Sequence, residues 1–155
     1  VKLTSYSNYT LRVLMIAAAR FPELTTIGDV AAAFGIARTH LVKCVHQLGA
    51  SGYIETVRGN GGGFRLARPA REISVGEIVR RTEDGFDLVE CFRAESNACP
   101  LIRRCALRPA LQRATAAFLD TLDAITLDDI SSNGEDLLRR LQLPSPSCGD
   151  VKASA

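Results

Sequence analysis

The 155-residue chain has 46% hydrophobic side chains and a net charge of +2, enough for one compact domain with an added helix and too little for two full domains. No apolar run has the length of a signal peptide or a membrane span, so a cytoplasmic protein without a membrane role is expected. Five cysteines in a reducing compartment point to ligands, sensors or core residues rather than a disulfide scaffold.

The charge is divided unevenly. Residues 1–70 hold eight Lys/Arg against three acids, a net of +5, and residues 71–155 hold eleven against fourteen, a net of −3. A basic first half suits a phosphate-binding surface, because neutralised phosphates release condensed counterions.

From Tyr9 to Ala19, Leu11, Leu14, Met15 and Ala18 recur at helical spacing among strong helix formers, and Phe21-Pro22 ends the run. Thr26 followed by Asp29 resembles a capping box for a short helix with Ile27, Val30, Ala31 and Phe34 as its apolar stripe, stopped by Gly35. Arg38 to Ser51 reads as a third helix with Leu41, Cys44, Val45 and Leu48 on one face, leaving Thr39, His40, Lys43 and Gln47 on the others. Two short helices joined by a glycine-containing turn form the helix-turn-helix pattern, whose second helix enters the major groove.

Tyr53 to Val57 and Phe64 to Arg68 alternate as strands, and Arg58-Gly59-Asn60-Gly61-Gly62-Gly63 between them supplies the turn. A hairpin directly after a recognition helix is a wing, and Arg58, Arg65 and Arg68 on it suit a narrow, electronegative minor groove. Ser74 caps a short helix to Arg81, after which the pattern breaks until Cys105.

Leu107, Leu111, Ala114, Phe118, Leu122 and Ile125 then form the seam of a long amphipathic helix, a ready dimer interface. Short terminal helices are expected at Thr126 to Ile130 and Glu135 to Leu141, and the residues beyond Leu143 have the composition of a disordered tail. The expected fold is mainly α with a small β-hairpin. It divides into a winged helix-turn-helix domain at 1–82, a cysteine loop at 83–106, a dimerisation helix with terminal helices at 107–142, and a tail at 143–155.

The cysteine loop carries the chemistry. Cys91, Cys99 and Cys105 are separated by seven and five residues in an irregular stretch, where no regular face exists to bury them, so a metal or cluster site is the natural reading. Structural zinc sites pair their ligands at closer spacing, and both histidines, His40 and His46, sit in the helix-turn-helix part. Iron–sulfur clusters accept variable thiolate spacing. Phe92, Pro100, Leu101 and Ile102 could shield a cluster, and Arg93, Arg103 and Arg104 could balance its charge. Three thiolates leave one iron needing another ligand, which suits a sensor. Cys44 reads as core and Cys148 lies in the tail, so neither is assigned as that ligand.

The runs LTSYSNYTLRVLM, HLVKCVHQLGASGYIETVRGNGGGFRL, VECF, CPLIRRC and ITLDDI resemble the winged-helix iron–sulfur regulator family that contains NsrR, IscR and RirA, over about Lys2 to Ile130. The resemblance implies a homodimeric repressor that binds a palindromic double-stranded operator in one cluster state and releases it in another. Thr39, His40 and Lys43 match its recognition-helix contacts and Arg58 its wing arginine, with Asn60 and Arg65 beside it. Cys91, Cys99 and Cys105 match its cluster thiolates, with 4Fe-4S favoured over 2Fe-2S.

Three features depart from parts of the family. Asn8 stands where some members place an aspartate that reaches the partner subunit's cluster, so Asn8 is a candidate fourth ligand of weaker, neutral character. The seven-residue cysteine interval exceeds the five common in NsrR and IscR, and both features are more like RirA. Arg108 replaces a histidine of the IscR subgroup.

Helix three and the VECF segment are more similar to NsrR, so nitric oxide leads as the signal, and iron availability stays open as the alternative. A zinc-stabilised regulator and a redox protein also stay open. No nucleophile motif, phosphate loop or metal-hydrolase signature is present, so no enzyme activity is expected; GNGGG leads into a strand rather than a helix, against a dinucleotide site.

Overall fold

The computed structural model describes residues 2–93, 98–101 and 104–146. Along them run α1 (Ser5–Ala19), α2 (Ile27–Phe34), α3 (Arg38–Ala50), β1 (Ile54–Val57), β2 (Gly63–Leu66), α4 (Val75–Thr82), α5 (Leu107–Asp123), α6 (Leu127–Ser131) and α7 (Gly134–Arg140). The mainly helical winged-helix architecture is as expected from the sequence. The predicted tail beyond residue 146 lies outside the described residues.

α1 begins at Ser5 rather than Tyr9 because the Thr4 hydroxyl accepts from the Ser7 amide. The polar start of the helix, Ser5 to Asn8, has only modest helix propensity and conceals this cap from a periodicity argument. α1 is the central strut, packed by α3, α4, α6 and α7. Its buried apolar residues are therefore Val13, Leu14, Ile16 and Ala17, spread round the helix, while Leu11, Met15 and Ala18 of the predicted stripe are only partly buried.

α2 starts on the predicted box: Thr26 and Asp29 exchange side-chain and backbone hydrogen bonds, and Gly35 closes the helix in the left-handed conformation. Such a cap contributes about 1 kcal/mol. α3 buries Leu41, Cys44, Val45 and Leu48, the face that the sequence predicts. Most of the stabilisation comes from this shared core, where each buried Leu, Ile, Val or Phe contributes roughly 1.5–3 kcal/mol.

β1 and β2 pair antiparallel with Ile54 opposite Leu66 and Glu55 opposite Arg65. Gly59 and Gly61 in the connecting turn take φ of 104° and 77°, which L side chains rarely adopt. Thr25 extends the ladder by exchanging two 2.8 Å backbone bonds with Phe64, so the root of the wing is fixed to the segment before α2.

α4 and the end of α5 are locked together. The Val75 amide donates to the Ile125 carbonyl at 2.9 Å, the Leu127 amide to the Ile73 carbonyl at 2.8 Å, and Arg80 reaches Asp123 at 2.6 Å. Gly76 permits the contact, since a Cβ there would lie 2.6 Å from the Asp123 backbone nitrogen. α6 and α7, which the sequence reading groups with the long helix, pack back onto α1 and bury Leu127 and Leu138.

The predicted seam of α5 is not buried by the chain itself. Leu107 is 61% exposed, Leu111, Phe118 and Leu122 are half-buried, and the buried residue of the helix is Leu119.

Candidate DNA-reading surface and cysteine loop

The outward side of α3 presents Thr39, His40, Lys43 and His46, all exposed. Two of them are braced by α1: the Lys43 ammonium lies 5.3 Å from the centre of the Tyr6 ring, and the His40 ring centroid 6.0 Å from that of Tyr9. A cation over an aromatic face gains about 0.5–1 kcal/mol at an exposed site, so these contacts orient α3 side chains without sequestering them. Behind α3, Cys44 is fully buried, and burial pushes its thiol up from the ordinary value. It is a protonated core residue, as the sequence suggests, and is remote in character from a thiolate ligand.

On the wing, Arg58 and Asn60 are exposed in the turn, and Arg58 has no ion pair among the described residues. Arg65 pairs with Glu55 across the hairpin, both side chains being at least 43% exposed. An ion pair so open to water is worth roughly 0–1 kcal/mol and yields readily to a phosphate. Arg68 is held at the wing root instead, 4.4 Å over the Tyr53 ring and 3.4 Å from Glu77.

Sequence reasoning missed this root cluster. Tyr53 is 2% exposed, and its hydroxyl donates to Glu77 on α4. Burial, then the hydrogen bond and charge of Glu77, push the phenol up to about 12, so it remains a donor at any physiological pH. The root of the wing is thus tied to α4 through Tyr53, Arg68 and Glu77.

The cysteine loop leaves α4 at Glu83. Cys91 is buried in a 3-10 turn at Glu90–Phe92, and Cys99 and Cys105 are half-buried. Among the described residues no group of three His, Cys, Asp or Glu side chains is gathered as an ion would require. Of the predicted shield, Phe92 is half-buried, Pro100 is exposed and Leu101 is 64% exposed, while Ile102 lies outside the described residues, as does Arg103. Arg93 pairs with Asp87 at 2.5 Å, and Arg104 is exposed. As a donor set, three thiols with no histidine beside them in the sequence fit a soft, thiolate-held iron centre rather than a hard cation.

Glu83 was also not singled out by the sequence. One of its carboxylate oxygens accepts from the Thr4 amide at 2.8 Å, the Thr4 hydroxyl at 3.0 Å and the Ser7 hydroxyl. Burial pushes this carboxyl up, but the bonds from Ser7 and Thr4 outweigh it and hold the group below the ordinary carboxylate range. The start of the cysteine loop is thereby tied to the first turn of α1, where Asn8 is exposed.

A helical pair whose second helix shows an outward row of polar groups, followed at once by an arginine-bearing hairpin, defines a winged-helix DNA-binding regulator. The model of the Rrf2 family, described as "Iron-dependent Transcriptional regulator", matches residues 3–133, and the chain belongs to that family. It is similar to the HTH-type transcriptional regulator NsrR of Geobacillus kaustophilus, with 51% identity over 84% of this chain and 89% of that one. It is 44% identical to NsrR of Bacillus subtilis over 92% and 99% of the two chains. Among solved structures, oxidized CymR of Staphylococcus aureus superposes with a TM-score of 0.67 at 27% identity, covering 84% of this chain and 96% of that one. The protein is a transcriptional regulator.

Proposed function

We propose that the chain is a cytoplasmic homodimeric repressor that releases a palindromic operator in response to nitric oxide, using a 4Fe-4S cluster held by Cys91, Cys99 and Cys105. The observation that carries this is the placement of the three thiols in the loop between α4 and α5, directly after Glu83 and its ties to α1. The high identity to regulators named NsrR favours nitric oxide as the signal.

The cluster would supply a thiolate-held iron centre open to nitric oxide at its least protected iron. The chain's own residues do the rest. Cys91 anchors the loop, Glu83 carries its position to Thr4 and Ser7, and α1 carries it to α3 through Tyr6 and Tyr9. Thr39, His40 and Lys43 then meet the major groove, and Arg58, Asn60 and Arg65 the adjoining backbone or minor groove. The uncovered apolar side of α5 supports pairing with a second copy, which would fix the separation of the two reading heads.

Asn8 favours a second reading. Its amide is a neutral, weaker ligand than a carboxylate, so if the partner's copy of it completes the site the fourth iron is easily lost, and iron supply becomes the signal.

The test uses protein purified without oxygen, with iron and sulfide quantified, titrated separately with nitric oxide and with an iron chelator while operator binding is followed. Release at a few nitric oxide molecules per cluster, with slow action of the chelator, supports the first reading. Release by mild chelation alone supports the second. Colourless protein containing zinc overturns both.

A further inference from the structure

The fold leaves Val42 of α3 in water: it is 51% exposed, whereas Leu41 and Val45 beside it are 0% and 7% exposed. Helical spacing sets Val42 next to Thr39, three residues before it, and His46, four after, both of them exposed polar side chains. Lys43 supplies a cation on the same outward side, and Arg58 one on the wing. An apolar side chain therefore interrupts a row of hydrogen-bonding and charged groups.

Helix propensity does not account for it. At an exposed helical position a β-branched residue is a poorer helix former than Ala, Lys or Gln. Val42 also cannot donate or accept a hydrogen bond, so packed on a base edge in the major groove it would leave polar groups unpaired at adenine, guanine or cytosine. Thymine alone presents a methyl group there.

We infer that Val42 is a specificity-determining residue that packs on the 5-methyl group of a thymine at one fixed position in each operator half-site. The inference rests on the reading of α3 as the major-groove helix and adds a base identity to it.

The probe is a duplex enriched from a random-sequence pool by the full-length protein prepared without oxygen. It is resynthesised with each thymine in turn replaced by uracil in both half-sites, which keeps the base pair and removes only the methyl group. At one position the replacement weakens wild-type binding by about four-fold per half-site, or about fifteen-fold for both, the worth of one buried methyl group.

In Val42→Ala, which keeps only one of the three side-chain carbons, the uracil penalty shrinks to less than half of the wild-type value on a logarithmic scale, and circular dichroism matching the wild type shows that its fold is kept. If no uracil position weakens the wild type, or if Val42→Ala keeps half or more of the uracil penalty, the inference is overturned while α3 remains the reading helix. If the wild-type protein enriches no sequence, both fall together.

Discussion

Between Thr4 and Thr82, three of the four helices begin on a hydroxyl cap, and the core residues of α1, α3 and the wing interlock. Among the described residues from Glu83 to Leu111 there is little of this. α5 starts on Ala106 without a side-chain cap, and Leu88, Leu101 and Leu107 are 39%, 64% and 61% exposed. The first region holds its shape by its own packing, whereas the described residues of the second leave apolar side chains in water. If the proposed cluster forms on the loop cysteines, the signal would arrive outside the part of the chain that packs on itself, and the self-packed part would be the one that reads DNA.

The α4–α5 joint fixes to the first region the far end of the helix that leaves the second, and breaking it has the largest expected effect. In Gly76→Ala the new methyl would lie 2.6 Å from the Asp123 nitrogen and 2.8 Å from its Cα, and backbone on both sides leaves little room to yield. Urea unfolding should show a loss of about 3 kcal/mol, the upper part of the overpacking range. A loss within about 0.5 kcal/mol would mean that the joint is loose and the contrast between the regions is drawn in the wrong place.

Next in size is the tie that runs the other way. Glu83→Ala removes the acceptor shared by the Thr4 amide, the Thr4 hydroxyl and the Ser7 hydroxyl, and should cost about 1–2 kcal/mol. If Glu83 couples the cysteine loop to α1, the same substitution in cluster-loaded protein should also shrink the difference in operator affinity with and without nitric oxide. Unchanged regulation beside the stability loss would make the tie merely structural.

Acid sharpens the comparison within the reading head. Burial pushes the Asp29 carboxyl up, but its bonds from Thr26 and Arg20 outweigh burial and hold it below the ordinary value. The folded group thus titrates below its unfolded counterpart. The stability it contributes is complete above the unfolded value and is lost as pH falls through the folded one. Asp29→Asn should therefore flatten the fall in melting temperature below about pH 4, and an unchanged acid limb would contradict the pairing.

These regions also differ in how far the sequence reveals them. Caps and apolar periods are local, so Thr26 with Asp29, the inner face of α3 and the hairpin are legible from neighbours a few residues apart. The Glu83 ties span 76 and 79 positions, and Tyr53 finds Glu77 24 positions away; no local pattern announces either. The stripe predicted for α1 fails because that helix is packed on several sides, so its burial follows tertiary neighbours rather than one face. The three loop cysteines stand out in the sequence by their density, but their burial differs in a way that spacing does not announce: Cys91 is buried and Cys99 and Cys105 are half-buried. Cys44 is legible as core from its helical phase.

The smallest stability effect should come from α5. Leu107 is 61% exposed, so Leu107→Ser removes almost no surface that one chain buries, and the unfolding free energy of a single chain should change by no more than about 0.5 kcal/mol. If the uncovered seam is where a second copy sits, the same substitution removes apolar area from that interface. Sedimentation velocity at falling concentration should then show dissociation earlier than in the wild type, and operator affinity should fall with it, because half-sites about one helical turn apart need both heads at a fixed separation. A variant that melts lower but dissociates no sooner would place Leu107 in the core of its own chain. The low exposure of Leu119 would then extend along the helix, and the second region would be as self-sufficient as the first.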